Sequence, residues 1–142
     1  MSRQYVAPYI NFQGKAREAM EFYQKVLGWK LDLRSASEQG VPRPAGPRDR
    51  IANARLEADG AVVIGSDGHP SYPPTVGDNM AVAVGGTDAA RLTKTFNDLA
   101  AGGKIKGPLT EQSGGAAVGW LTDKFGINWT VSIDKVWRPN ST

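Results

Sequence analysis

Residues 10–31, INFQGKAREAMEFYQKVLGWKL, and residues 84–105, VGGTDAARLTKTFNDLAAGGKI, decide the fold when one is set above the other. Ile10 then meets Val84, Phe22 meets Phe96, Gly28 meets Gly102, Lys30 meets Lys104 and Leu31 meets Ile105, all at an offset of 74. One offset that holds from an extended run, through a helical run and into the next extended run marks an internal repeat. In the first stretch Ala16, Ala19, Met20, Tyr23, Val26 and Leu27 recur at three- and four-residue steps. Lys15, Arg17, Glu18, Glu21 and Lys25 fill the other side. This spacing predicts an amphipathic helix over about 15–27, ended by Gly28. The second stretch predicts a helix over about 88–101, with Thr87 as N-cap and Gly102-Gly103 as its stop. Leu92, Phe96, Leu99 and Ala100 form its apolar stripe. Each helix follows a strand-like run, Tyr5–Phe12 and Asn79–Val84, and precedes another, Trp29–Leu33 and Lys104–Ile105.

Further along, the offset shrinks: Leu56 pairs with Leu121 at 65 and Gly60 with Gly126 at 66. The difference falls in a longer first-half loop, Ser35–Arg50, rich in Pro, Gly and Arg. The chain is therefore expected to be α+β, built of two paired βαβββ modules over about 5–67 and 78–135 with a Pro/Gly linker over 68–77. Neither module can bury its helix-covered face alone, so residues 1–142 are expected to form a single domain. Its sheets are expected to make a curved, mixed cup with the helices on the outer face.

Alternation assigns the faces. Ala52, Ala54, Leu56 and Ala58 should lie under a helix, leaving Asn53, Arg55 and Glu57 on the far face. In the last strand Ile127, Trp129, Val131 and Ile133 face the helix, and Asn128, Thr130 and Ser132 face away. The same rule puts Val6, Pro8, Ile10, Phe12, Met80, Val82 and Val84 in the core. Ala7, Tyr9, Asn11, Asn79, Ala81, Ala83, Val118, Trp120 and Thr122 then stand on the far face, the natural lining for a small ligand.

Composition narrows the functions. The chain has 142 residues, 40% of them apolar and 22% charged, which is ordinary globular usage. No Cys is present, which excludes disulfides, thiolate metal sites, Cys nucleophiles and iron–sulfur clusters. A single His excludes a multi-histidine metal site within one subunit. No apolar run suits a spanning helix and the opening residues lack a secretory signal's apolar stretch, so a cytoplasmic protein without membrane contact is expected. The 17 Lys and Arg exceed the 14 Asp and Glu by only three, and they are scattered, so nucleic acid is not an expected partner.

Three segments carry a family resemblance. They are Pro8-Tyr9-Ile10-Asn11-Phe12-Gln13-Gly14 running into Glu18-Ala19-Met20-Glu21-Phe22-Tyr23; Ala54-Arg55-Leu56 running to Ile64-Gly65-Ser66-Asp67; and Leu121-Thr122-Asp123-Lys124-Phe125-Gly126-Ile127-Asn128-Trp129. With the repeat, they resemble the vicinal oxygen chelate superfamily of glyoxalases, bleomycin-resistance proteins and dioxygenases, and within it the PhnB-like branch. Taken as packing alone, the same segments encode a helix end and a hairpin turn. The superfamily's chemistry uses a divalent metal held by His, Gln or Glu in the cup. Carried over by position, those sites fall at Ala7, about Ile64, Asn79 and Thr130, and a His common in the branch becomes Asn53. Two of the four are hydrocarbon and two offer neutral oxygens, so the expected cofactor set is none, with a divalent metal disfavoured. The methyltransferase label some branch members carry has no counterpart in Gly85-Gly86, Gly102-Gly103 or Gly114-Gly115, which form no nucleotide-binding loop.

The candidate ligand-binding residues are Tyr9, Asn11, Asn53, Asn79, Trp120 and Thr130, with Tyr9 and Trp120 suited to stacking on a planar ligand. Their rings could equally fill the cup or a dimer seam. Glu57 and Arg55 are the candidate catalytic acid/base pair, against the alternative of a structural ion pair. His69, between Gly68 and Pro70, is expected to be an exposed turn residue rather than a metal ligand or general base. Ser113 lacks the spacing of an activated nucleophile. The loops Ser35–Arg50 and Pro108–Gly115 are expected to act as lids. The first expectation for function is a metal-free small-molecule-binding protein. The alternative is a lyase, isomerase or dioxygenase that uses a recruited metal or Glu57 acid–base chemistry. A pI near 9.3 argues for a neutral or anionic ligand over a cationic drug. The resemblance implies a homodimer.

Overall fold

The structure is a computed structural model that describes residues 4–36, 42–46, 49–58, 60–69, 71–111 and 116–135. The chain divides into two compact units, Met1–Thr75 and Val76–Thr142, and the division falls inside the expected linker.

The first unit runs β1 (Tyr9–Asn11), α1 (Ala16–Leu27), β2 (Lys30–Ala36), β3 (Pro42–Pro44), β4 (Asn53–Ala58) and β5 (Ala61–Ser66). Its sheet has the order β1-β5-β4-β2-β3, with β1 parallel to β5 and the other pairs antiparallel. The second unit runs β6 (Val82–Gly86), α2 (Ala89–Ala100), β7 (Lys104–Glu111), β8 (Ala117–Thr122) and β9 (Asn128–Ile133). Its order is β6-β9-β8-β7, again with the opening strand parallel to the closing one. With β3 set aside, the two units share one topology, and the fold is α+β with βαβββ modules.

Each helix covers one face of its own sheet. Ala16, Ala19, Met20, Tyr23 and Leu27 are the buried positions of α1, and they pack with Phe12, Ala54, Leu56 and Val63. Leu92, Thr95, Phe96 and Leu99 are those of α2, over Leu121, Trp129 and Val131. At about 25 cal/mol per Å² of apolar surface, these clusters dominate the stability of both units.

The helix ends correct two expectations. The N-cap of α2 is Asp88 rather than Thr87, because the Asp88 carboxylate accepts the Arg91 N–H at 3.1 Å. The helices themselves lie 73 residues apart, not 74, so Phe96 matches the buried Tyr23 while Phe22 is only half-buried. Ala101 is the extra residue, and it restores the register before Gly102.

The opening strands are shorter than alternation suggests. Val6 is fully exposed at 101% and Met80 at 79%, which removes both from the expected core, and Pro8 is exposed as well. Pairing with a neighbour begins only at Tyr9 and Val82, so the residues before them lie beyond the helix's cover. Ala52, just before β4, and Ala58, at its end, are exposed too, and the interior pair Ala54 and Leu56 carries the buried face.

Neither expected lid is a free loop throughout. Strand β2 extends to Ala36 and Pro42–Pro44 pairs with it at the sheet edge, where a residue without an N–H is tolerated. Strand β7 extends to Glu111 and takes up the first half of the second segment. Residues 112–115, with Ser113 and Gly114, lie outside the described residues. Among the described residues no helix is long and apolar enough to cross a membrane.

Candidate functional site

Strand register sets one row of side chains across the uncovered face of each sheet. In the second unit the row is Ala83, Thr130, Trp120 and Gly107, from β6, β9, β8 and β7 in turn. Trp120 keeps 46% of its surface exposed there, whereas Trp129, one step away on the opposite face, keeps 1%. The indole of Trp120 leans over Gly107. A Cβ on that glycine would lie 2.7 Å from Cε2, 2.9 Å from Cδ2 and 3.0 Å from Cζ2. The ring therefore occupies space that any other residue's side chain would claim.

Around this ring lies a cavity of about 230 Å³ whose lining includes Asn79, Met80, Lys106, Asn128 and Thr130. Three expected ligand-binding residues, Asn79, Trp120 and Thr130, are thus brought together. Asn128 is fixed at its rim, donating to the Met80 carbonyl at 3.1 Å and accepting the Thr122 hydroxyl at 2.7 Å. The cavity offers an aromatic face, an amide, a hydroxyl, the Lys106 ammonium and the Asp78 carboxylate to one small molecule.

In the first unit the corresponding row is Tyr9, Ile64, Arg55 and Asp32. Tyr9 is 62% exposed, and its hydroxyl donates to Ser66 Oγ at 3.0 Å. Tyr9 and Asn11 line a larger cavity of about 480 Å³ with Ser66, Arg50, His69 and Tyr72. His69 is exposed in its turn, as expected, but it also belongs to this lining. Sequence reasoning missed Arg50, Ser66 and Tyr72 here, and Lys106 in the second unit. Arg50 and Tyr72 sit in loops with no periodicity, Lys106 lies past the end of its expected strand, and Ser66 stands out in the sequence only through the family resemblance.

Asn53, Arg55 and Glu57 share the uncovered face of β4 but lie outside the linings of these cavities. Arg55 Nε lies 3.3 Å from Glu57 Oε2, and its guanidinium stacks over the Tyr5 ring at 4.9 Å. The hydrogen bond to Glu57, the largest effect, raises the Arg55 pKa above its ordinary value, with Tyr5 adding to it. A guanidinium held this way keeps its proton, so within the pair only Glu57 could exchange one.

The positions that hold a metal in the resembled superfamily do not fit one here. Ala7 and Ile64 carry no donor atom, and Asn79 and Thr130 offer neutral oxygens. Among the described residues no group of three His, Asp or Glu side chains gathers at a metal-binding separation.

Residues 4–132 match the family described as 3-demethylubiquinone-9 3-methyltransferase. Protein YjdN of Escherichia coli (strain K12) is 28% identical over an alignment 141 positions long, which covers 92% of this chain and 95% of that protein. The crystal structure of protein PA1353 from Pseudomonas aeruginosa is 32% identical with a TM-score of 0.79, over 93% of this chain and 98% of that one. A putative 3-demethylubiquinone-9 3-methyltransferase, PhnB protein, from Bacillus cereus has a TM-score of 0.71 at 24% identity, covering 92% and 100% of the two chains. The same fold recurs in a glyoxalase/bleomycin resistance protein/dioxygenase family enzyme from Burkholderia phytofirmans PsJN, at 14% identity and a TM-score of 0.60, over 91% and 95%.

Proposed function

The chain belongs to the 3-demethylubiquinone-9 3-methyltransferase family, within the glyoxalase/bleomycin resistance/dioxygenase fold, and on that premise we propose that it binds a small planar organic molecule, neutral or anionic, on Trp120 without a divalent metal. The observation that carries this reading is the exposed indole held against Gly107 inside a polar cavity. A large aromatic side chain left half-exposed on a sheet face, with a glycine beneath it, provides a stacking platform. Asn79 and Thr130 supply hydrogen bonds at its edge; Lys106 and Asp78 both line the cavity, so a neutral ligand suits the cavity itself and the chain's net positive charge favours an anionic over a cationic one.

No metal enters this scheme, because the donor set at Ala7, Ile64, Asn79 and Thr130 gives a divalent ion too little to hold. The protein is further proposed to be a cytoplasmic homodimer, in which a symmetric contact covers exposed apolar side chains such as Tyr5 and Val6. Sedimentation at several concentrations tests the dimer.

Isothermal titration with 2-naphthol, in the presence and absence of EDTA, tests the binding reading. Saturable binding at a one-to-one ratio per chain, unchanged by the chelator, is the expected result. Binding that disappears with EDTA would contradict the metal-free reading, and no binding of 2-naphthol would contradict the site.

A further inference from the structure

The cavity of about 480 Å³ in the first unit is lined by hydrogen-bond donors that the fold leaves unspent. We propose that it is a second binding site, independent of Trp120, for an organic carboxylate whose planar body lies against Tyr72.

The donors can be counted one at a time. Tyr9 donates its hydroxyl hydrogen to Ser66 Oγ, which also accepts the Gly68 N–H at 3.1 Å, so the hydroxyl hydrogen of Ser66 remains to be given. Ser66 is 3% exposed, and a buried hydroxyl at a cavity wall is directed by its surroundings. Asn11 accepts the Gln13 N–H on Oδ1 at 2.9 Å, which turns the amide so that Nδ2 can donate elsewhere. His69 Nδ1 accepts the Ser71 N–H at 3.1 Å, so in the neutral ring the proton sits on Nε2 and that nitrogen is a donor. Tyr72 packs against the His69 ring at 5.6 Å and supplies a flat apolar wall.

Charge decides what these donors meet. Arg50 makes its hydrogen bonds to the main-chain carbonyls of Asp67 and Gly68. Among the described residues no carboxylate lies within ion-pair distance of it. Of the two acids nearby, Asp67 is held by backbone donors, and Asp49, which lines the cavity, takes a backbone N–H and the Ser35 hydroxyl. Asp67 accepts Ala16 N–H at 2.8 Å on Oδ1 and Ile51 N–H at 2.7 Å on Oδ2, and Asp49 Oδ2 accepts Gly46 N–H at 2.7 Å. A guanidinium with charge to spare, beside an imidazole N–H, an amide and a hydroxyl, suits the two oxygens of a carboxylate.

Gly68 allows this arrangement. Its φ of +74° is left-handed, and a Cβ there would fall 2.3 Å from Asn11 Nδ2, so the turn that presents His69 and the amide that faces the cavity both require glycine.

The test uses benzoate and its uncharged isostere benzamide on the whole protein. His69 is the only histidine, so its ring gives a single set of imidazole NMR signals and reports on this cavity alone. The expected result is a saturable shift of those signals with benzoate, at least tenfold weaker affinity for benzamide, and the same benzoate response in Trp120→Ala. Arg50→Gln is expected to weaken benzoate at least tenfold. If Arg50→Gln fails to fold, Asn11→Ser, which leaves the bonds of Arg50 in place, is expected to weaken it severalfold. Three results would overturn the proposal: no shift of His69 on benzoate addition, equal affinity for benzamide, or loss of the response in Trp120→Ala.

Discussion

The indole of Trp120 lies so close to Gly107 that a methyl group on that glycine would stand 2.7 Å from Cε2, well inside contact distance. Because the ring is half-exposed, it would answer such a methyl group by swinging outward rather than by unfolding the strand. Gly107→Ala is therefore expected to leave the melting temperature nearly unchanged, since replacing a strand glycine offsets part of the lost packing. Titration of this variant with 2-naphthol should show binding weakened by at least about tenfold, the equivalent of 1.4 kcal/mol.

The two tryptophans on neighbouring rungs of the β8–β9 ladder should part company when truncated. Trp129→Ala removes a fully buried side chain and is expected to cost about 3–5 kcal/mol. Trp120→Ala removes an exposed ring and should cost less than about 1 kcal/mol. Urea unfolding of the two variants checks this. Equal losses would show the face assignment of β8 to be wrong.

Asp123 ties the β8–β9 hairpin to the core beneath it. One oxygen accepts the Phe125 and Ile127 N–H groups at 2.8 and 3.1 Å, and the other accepts Trp129 Nε1 at 2.9 Å. Asp123→Ala leaves a buried indole N–H without this acceptor and is expected to destabilise by about 3 kcal/mol. Asp123→Asn keeps one acceptor oxygen and should lose less. Thermal unfolding distinguishes the two.

Zinc and nickel provide the test of the donor set. Equilibrium dialysis should find no stoichiometric ion held against a mild chelator, because neither Asn79 nor Thr130 binds like an imidazole or a carboxylate. A tightly bound ion at one per chain would contradict that assessment.

Much of this fold is legible in the residues because the signals are local. Ala19, Met20, Tyr23 and Leu27 give α1 its apolar stripe, and all four are buried. The alternation Trp129, Thr130, Val131 reports which side of β9 meets the helix, and it is right at each step. Val6 and Met80 mislead because alternation names a face without saying whether a neighbouring strand or helix extends far enough to cover it. The start of α1 is less legible still. Lys15 provides no side-chain cap, and the acceptor for Ala16 N–H is Asp67, 51 residues on, a relationship no local pattern contains. The site divides along the same line. Asn79, Trp120 and Thr130 converge because register carries them together. Arg50 and Tyr72 reach the first unit's cavity from irregular segments, where only the folded chain defines position.

The most direct test of the binding claim is the dissociation constant of 2-naphthol for the wild-type protein and for Trp120→Ala, measured by isothermal titration on samples with matching unfolding curves. At least tenfold weaker binding by the variant is the result expected if the indole is the stacking surface. An unchanged constant would place the ligand elsewhere and contradict the account.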